Sequence, residues 1–138
     1  MKYLLDTNIC IYIIKRKPAE VFQRFKLFKP GDICISSITY AELQYGVYKS
    51  SNPSRNEQAL IQFVTPLEIL DFDYKAATEY GYMRSGLEKD GTPVGPLDTL
   101  IAAHCISLDI ILVTNNLKEF QRIPRLKIEN WVNKSNLK

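Results

Sequence analysis

Short apolar runs recur along this chain at Tyr3–Leu5, Ile33–Ile35, Leu67–Leu70 and Ile110–Val113, and segments with helical signals separate them. This alternation is the tightest constraint on the fold. Strands separated by helices imply an α/β chain with a parallel sheet and helices on both sides. The run Ile110–Val113 is unbroken and aliphatic, the pattern of a strand buried on both faces. Leu126–Ile128 reads as a small edge strand, so four to five strands are expected.

The helical segments are marked by caps and breakers. Asn8–Lys15 and Pro18–Phe28 read as helices, the second with Pro18 near its start and with Phe22, Phe25 and Phe28 at helical spacing. Ser36 or Ser37 offers an N-cap for a helix over Ile38–Lys49. Asn56–Phe63 follows a polar loop, and Asp73 can cap a helix running to about Lys89. Asp90-Gly91-Thr92-Pro93 and Gly95-Pro96 break the chain before an apolar helix over Leu97–Leu108, and a short helix carries Lys118–Phe120.

A chain of 138 residues is one domain by length, and 46% apolar residues can support a core. The domain is expected over 1–132, with 133–138 a frayed tail. No apolar run reaches the length of a membrane span, and the start lacks the features of a signal peptide, so a cytoplasmic protein is expected. Cys10, Cys34 and Cys105 are odd in number and widely spaced. They read as small buried residues in a reducing compartment. A net charge of +3 permits a nucleic-acid partner without arguing for one.

Acidic residues stand where the strand and helix signals begin or end. Asp6 closes the first strand, and in a parallel sheet the carboxyl ends of the strands share one edge where ligands collect. Thr114-Asn115-Asn116 leaves the fourth strand at that edge. Glu42 lies on the helix after the second strand, and Asp98 opens the helix leading into the fourth. Converging carboxylates repel one another, and a divalent cation is the natural relief. Mg²⁺ or Mn²⁺ so held activates water and stabilises phosphoryl transition states. Each acid also has a plainer role. Asp6 can cap a helix, Glu42 can be an exposed helix acid, Asp98 can complement a helix dipole, and Glu119 alone reads as a surface residue. Two features favour engagement. Ala41 and Leu43 beside Glu42 look buried, and Asp98 enters the apolar Thr99-Leu100-Ile101-Ala102-Ala103 stretch, where a charge needs a partner.

Leu4-Leu5-Asp6-Thr7-Asn8 resembles the opening motif of PIN-domain ribonucleases. The segment from Ile35 through Ser36-Ser37-Ile38-Thr39-Tyr40-Ala41-Glu42 to Gly46 resembles their second motif. Gly95-Pro96-Leu97-Asp98 with Ile101-Ala102-Ala103-His104 resembles the third, and Leu112-Val113-Thr114-Asn115-Asn116 with Glu119-Phe120 the fourth. Order and spacing match over nearly the whole chain, most closely as in the VapC toxins of bacterial toxin–antitoxin pairs. The resemblance implies a PIN-like fold and endonucleolytic cleavage of RNA with Mg²⁺ or Mn²⁺, transfer RNA being one candidate substrate. It also implies a homodimer silenced by a cognate antitoxin, which itself binds operator DNA. It carries metal ligation to Asp6, Glu42 and Asp98, and polar support to Thr7, Asn8, Thr114 and Asn115. Many members have an acid where this chain has Asn116, a neutral and poorer ligand; Glu119, one turn later, is the candidate substitute among the catalytic residues.

Other residues carry weaker signals. His104, the only histidine, sits between Ala103 and Cys105 and reads as a satisfied core residue. Lys15-Arg16-Lys17 reads as a solvated face that could hold phosphate, with Arg24, Lys26, Arg55 and Arg84 as further candidates. Tyr40, Tyr45 and Tyr48 can stack on bases or pack in a core or dimer interface, and the packing role is preferred. Among rival functions, a phosphoacceptor signalling domain needs an Asp ending a central strand, which Leu70-Asp71-Phe72 matches in part, and a late Lys that is missing. A haloacid-dehalogenase-type site needs Asp-x-Asp, but Asn8 fills the second place. A non-catalytic binding module on the same fold draws its support from Asn116.

Overall fold

The computed structural model describes residues 2–132; the expected tail over 133–138 lies outside the described residues. The chain runs β1 (Tyr3–Leu5), α1 (Thr7–Lys15), α2 (Ala19–Phe25), a 3₁₀ turn at Pro30–Asp32, β2 (Ile33–Ser36), α3 (Ser37–Lys49), α4 (Pro53–Val64) and β3 (Glu68–Leu70). It continues through α5 (Tyr74–Lys89), α6 (Pro96–Leu108), β4 (Ile111–Val113), α7 (Leu117–Phe120) and β5 (Ile128–Glu129). The five strands are all parallel in the order β3-β2-β1-β4-β5. The edge strand expected at Leu126–Ile128 forms instead at Ile128–Glu129, pairing with Leu112 and Val113.

Strand periodicity divides the core into two layers. Leu5, Ile33, Ile35 and Val113 face one way and meet Ile9, Ile13, Val21, Leu43, Leu60 and Phe63. Leu4, Cys34 and Leu112 face the other way and meet Met83, Leu87, Ile101, Ala102 and Phe120. Successive side chains of a strand point to opposite faces, so a run apolar at every position must be covered twice. The three cysteines are free and buried. No helix among the described residues is long and apolar enough to cross a membrane.

Local chemistry sets the helix starts. Asn52 accepts a hydrogen bond from Arg55 N at 3.2 Å, which begins α4 at Pro53, three residues before the expected Asn56. Asp73 accepts from Ala76 N at 3.0 Å and starts α5. Ser36 caps α3, accepting from Ile38 N at 3.1 Å. Pro18 is the extended N-cap of α2, which ends at Phe25 and so stops short of the expected Phe28.

The sheet order contains one topological switch. From β1 the chain builds outward to β2 and β3, then returns to place β4 on the other side of β1. The two crossovers leave in opposite directions and open a crevice beyond the carboxyl ends of β1 and β4. β3, which leads into Asp71, is an edge strand. The central-strand aspartate of a phosphoacceptor domain is therefore not supplied by Asp71.

Candidate active site

β1 and β4 pair as Leu5 with Val113, and the next step of the register brings Asp6 beside Thr114. Asp6 N donates to Val113 O at 2.9 Å. One carboxylate oxygen of Asp6 accepts from Thr7 N at 2.8 Å. The other accepts from the Thr114 hydroxyl at 2.9 Å. Asp6 is thus the N-cap of α1 and a residue of the switch-point crevice at once. It is 6% exposed and Thr114 is fully buried. Burial pushes the Asp6 carboxyl up, Thr114 and Thr7 oppose that, and the charge of Glu42 adds to it.

Glu42 arrives from α3, half-buried, and its Oε1 accepts from the Thr7 hydroxyl at 2.7 Å. The expectation that both its neighbours are buried holds for Leu43 alone. α3 packs through Thr39, Leu43 and Val47, a stripe of period four that leaves Ala41 exposed.

Asp98 is the third residue of α6. Its Oδ2 accepts from the Asn116 side-chain amide at 3.1 Å. Its carboxyl is pushed up to about 7, first by burial, then by a hydrogen bond shared with Glu119 and by the charges of Asp6, Glu119 and Glu42. Glu119 is half-buried rather than the surface residue it resembles in isolation. It comes from α7, and its Oε2 accepts from Gly95 N at 3.4 Å.

Asp6, Glu42, Asp98 and Glu119 therefore converge from four separate elements. Of the supporting residues, Thr7 and Thr114 join them as donors. Asn116 also contributes a donor rather than a ligand, while its backbone N–H binds Thr114 Oγ1 at 2.9 Å. Asn115 turns away, accepting from the Asn130 amide at 3.3 Å. Asn8 is exposed on the first turn of α1. Gly95, which in the sequence is only a helix breaker, supplies the N–H that holds Glu119; nothing in the residue pattern signals that contact.

A divalent cation suits this donor set in chemistry. Among the described residues, no three His, Cys, Asp or Glu side chains stand close enough to enclose an ion alone. Mg²⁺ does not need such a cage. It keeps several waters and commonly takes one or two carboxylates. Asp6 and Asp98, each raised in pKa by burial and by neighbouring charge, are the pair whose repulsion a cation would relieve.

The remaining candidates lie elsewhere. His104 is 1% exposed, its Nδ1 lies 2.8 Å from Ser36 Oγ and its ring packs edge-on to Phe72; burial lowers its pKa. It is a satisfied core histidine tying α6 to the start of α3. Arg24 pairs with Glu129 and Arg84 with Glu88. Lys26 and Arg16 lie over the Phe22 ring. Tyr40 packs partly against the core, whereas Tyr45 and Tyr48 are exposed on this chain and so lie outside its core.

Known proteins share this architecture. The PIN domain matches residues 3–126. The tRNA(fMet)-specific endonuclease VapC of Shigella flexneri is 49% identical over 131 residues, covering 95% of this chain and 98% of that protein. Ribonuclease VapC2 of Haemophilus influenzae is 48% identical over 132 residues, covering 96% and 99%. The crystal structure of VapBC2 from Rickettsia felis bound to a promoter DNA fragment superposes with a TM-score of 0.90 at 47% identity, over 96% of this chain and all of that one. The VapBC structure from Salmonella typhimurium, also bound to DNA, gives 0.90 at 48% identity. With the parallel five-stranded order, the acids at its switch point and identity near one half over almost every residue, the chain belongs to the PIN-domain family, in its VapC branch.

Proposed function

We propose that this chain is the toxin of a toxin–antitoxin pair, a Mg²⁺- or Mn²⁺-dependent endoribonuclease acting in the cytoplasm. The observation that carries the reading is the convergence of Asp6, Glu42, Asp98 and Glu119 on one crevice, with Asp98 held up to about 7. A bound divalent cation supplies activation of water and stabilisation of charge on the phosphodiester. Asp6 and Asp98 are the residues to hold it. Thr114 and Thr7 fix the Asp6 carboxylate at both oxygens, and Thr7 fixes Glu42. Ligands oriented this way lose little freedom when the ion and RNA arrive.

Transfer RNA is the substrate to test first, because the Shigella flexneri relative is named for it. The partner is a cognate antitoxin, as the VapBC complexes indicate for their own toxins; operator DNA is reached through that complex, and the free toxin acts as a homodimer. A cleft this rich in carboxylates suits an arginine from the antitoxin, whose planar fork binds carboxylate bidentately. Asn116 favours one second reading, a non-catalytic PIN module, since its amide already occupies Asp98 Oδ2.

The purified chain should cleave RNA with Mn²⁺ and not with EDTA, and Asp6→Asn or Asp98→Asn should each lower the rate by orders of magnitude with the fold intact. Metal binding without cleavage would favour the binding module. Near-unsubstituted cleavage by both variants, free of contaminating nuclease, defeats the proposal.

A further inference from the structure

Among the described residues, the buried polar side chains are Asp6, Ser36, Thr39, Thr99, His104 and Thr114. Asp6 and Thr114 belong to the crevice. Ser36 and His104 do not, yet they are joined to each other. Ser36 Oγ accepts from Ile38 N at 3.1 Å and lies 2.8 Å from His104 Nδ1. The His104 ring also hydrogen-bonds the backbone of Asp71, in the segment after β3. Burial keeps the imidazole neutral by lowering its pKa. A neutral imidazole has one N–H and a carbonyl only accepts, so the network assigns that proton to Nε2. Nδ1 is then free to accept from the Ser36 hydroxyl. Next to this link, Ser37 Oγ accepts from Phe72 N at 3.1 Å, and the Phe72 ring meets His104 edge-on.

The joint lies between the two long helices that bring acids to the crevice. Glu42 stands six residues after Ser36 on α3, and Asp98 six residues before His104 on α6. Each is about 9 Å of helix away from the link. An apolar side chain of similar volume at position 104 would fill the same space. Apolar contact is non-directional, whereas a hydrogen bond fixes both distance and angle. Such a substitute would hold the helices together without holding their relative setting. A crevice built from acids of separate elements tolerates little slip, since a misplacement of about 1 Å can cost about 100-fold in rate.

We propose that His104 is a positioning residue of the acid crevice: through Ser36 it sets α6 against α3, and so sets Asp98 against Glu42 and Asp6. The proposal rests on the ribonuclease reading above. His104 is 1% exposed and cannot meet RNA. Its loss therefore lowers turnover and metal affinity and leaves substrate binding alone.

The test compares His104→Leu, which removes both nitrogens, with His104→Asn, whose side-chain oxygen can accept from Ser36 as Nδ1 does. Phe63→Leu is the core control. Phe63 is 8% exposed, on α4, in the core layer of Leu5 and Val113. Each full-length variant is assayed below its melting temperature by Mn²⁺-dependent RNA cleavage and by calorimetric Mn²⁺ titration. His104→Leu should lower kcat, Mn²⁺ affinity or both by about 10- to 100-fold, with KM for RNA within about twofold. His104→Asn should recover most of that loss, and Phe63→Leu should show none of it. Full turnover and Mn²⁺ affinity in folded His104→Leu overturn the proposal. So do equal losses in Phe63→Leu, which would reduce His104 to a stabilising residue, and a His104→Asn that recovers nothing. Should His104→Leu not fold, Ser36→Ala removes the same link from the other side and must show the same losses; unchanged values there overturn the proposal. If the unsubstituted chain binds Mn²⁺ without cleaving RNA and His104→Leu loses that affinity, the nuclease reading fails and the positioning role stands. If the unsubstituted chain neither binds Mn²⁺ nor cleaves RNA, both fall.

Discussion

Asp98→Asn should stabilise the folded protein while removing its activity. The Asp98 carboxyl is raised from 3.8 to about 7 in the fold and returns to about 3.9 in the unfolded chain. Between those values the folded state binds more protons than the unfolded state, so stability falls as pH rises through that window and levels off above 7. A displacement of this size corresponds in full to about 4 kcal/mol. Asp98 is only half-buried, and solvent screening reduces the figure to about 1–2 kcal/mol. Asparagine keeps the local hydrogen bonds, since its oxygen can accept from Asn116 and its amide can donate to Glu119. In EDTA at pH 8, thermal or urea denaturation should place Asp98→Asn about 1–2 kcal/mol above the unsubstituted chain, or about 3–8 °C in melting temperature. At pH 4 the two should coincide. A variant less stable at pH 8, or a difference that does not change with pH, would refute the account of Asp98 as a crowded carboxyl.

Three further outcomes follow from the same geometry. Saturating Mn²⁺ should raise the melting temperature of the unsubstituted chain, by about 2.7 kcal/mol of stability at a hundredfold excess over Kd, and Asp6→Asn should lose most of that rise; calorimetry with and without EDTA decides it. Glu119→Gln should weaken Mn²⁺ binding or turnover more than Asn116→Ala does, measured by titration and cleavage rate, and the reverse ranking would move the acidic role of the fourth motif off Glu119. Phe120 is 1% exposed and anchors the short α7, so Phe120→Ala should cost about 3–5 kcal/mol in urea denaturation.

The fold was legible because parallel strands covered on both faces read as unbroken apolar runs. Leu4 and Leu5, or Leu112 and Val113, cannot be placed on one side of a sheet, and the helices between them had to cover both. Helix starts depart from the sequence pattern where a side chain such as Asn52 decides the boundary. Asp6 and Asp98 could be placed at one crevice from topology alone, because a strand end and a helix start are fixed by the chain path. Glu119 could not, because its burial depends on α7 folding back to within reach of Gly95. The exposure of Ala41 has a related cause. In a helix the buried stripe is set by which neighbours pack against it, and α3 chose the phase of Thr39, Leu43 and Val47.

Asn116 takes on a different meaning in three dimensions. As a ligand it is merely a weak oxygen donor, and its place among acids looks like a loss. In the crevice every carboxylate has its own neutral donor: Thr114 on Asp6, Thr7 on Glu42, Asn116 on Asp98 and the Gly95 N–H on Glu119. None of these donors carries a charge, so each orients a carboxylate without cancelling the charge that a cation needs. A lysine or arginine in any of those places would stabilise the empty site more and compete with the metal. An aspartate at position 116 would add a further charge beside Asp98 and remove its donor. The neutral residue thus keeps Asp98 oriented at the point of greatest crowding, where burial and three neighbouring acids already hold its carboxyl near 7.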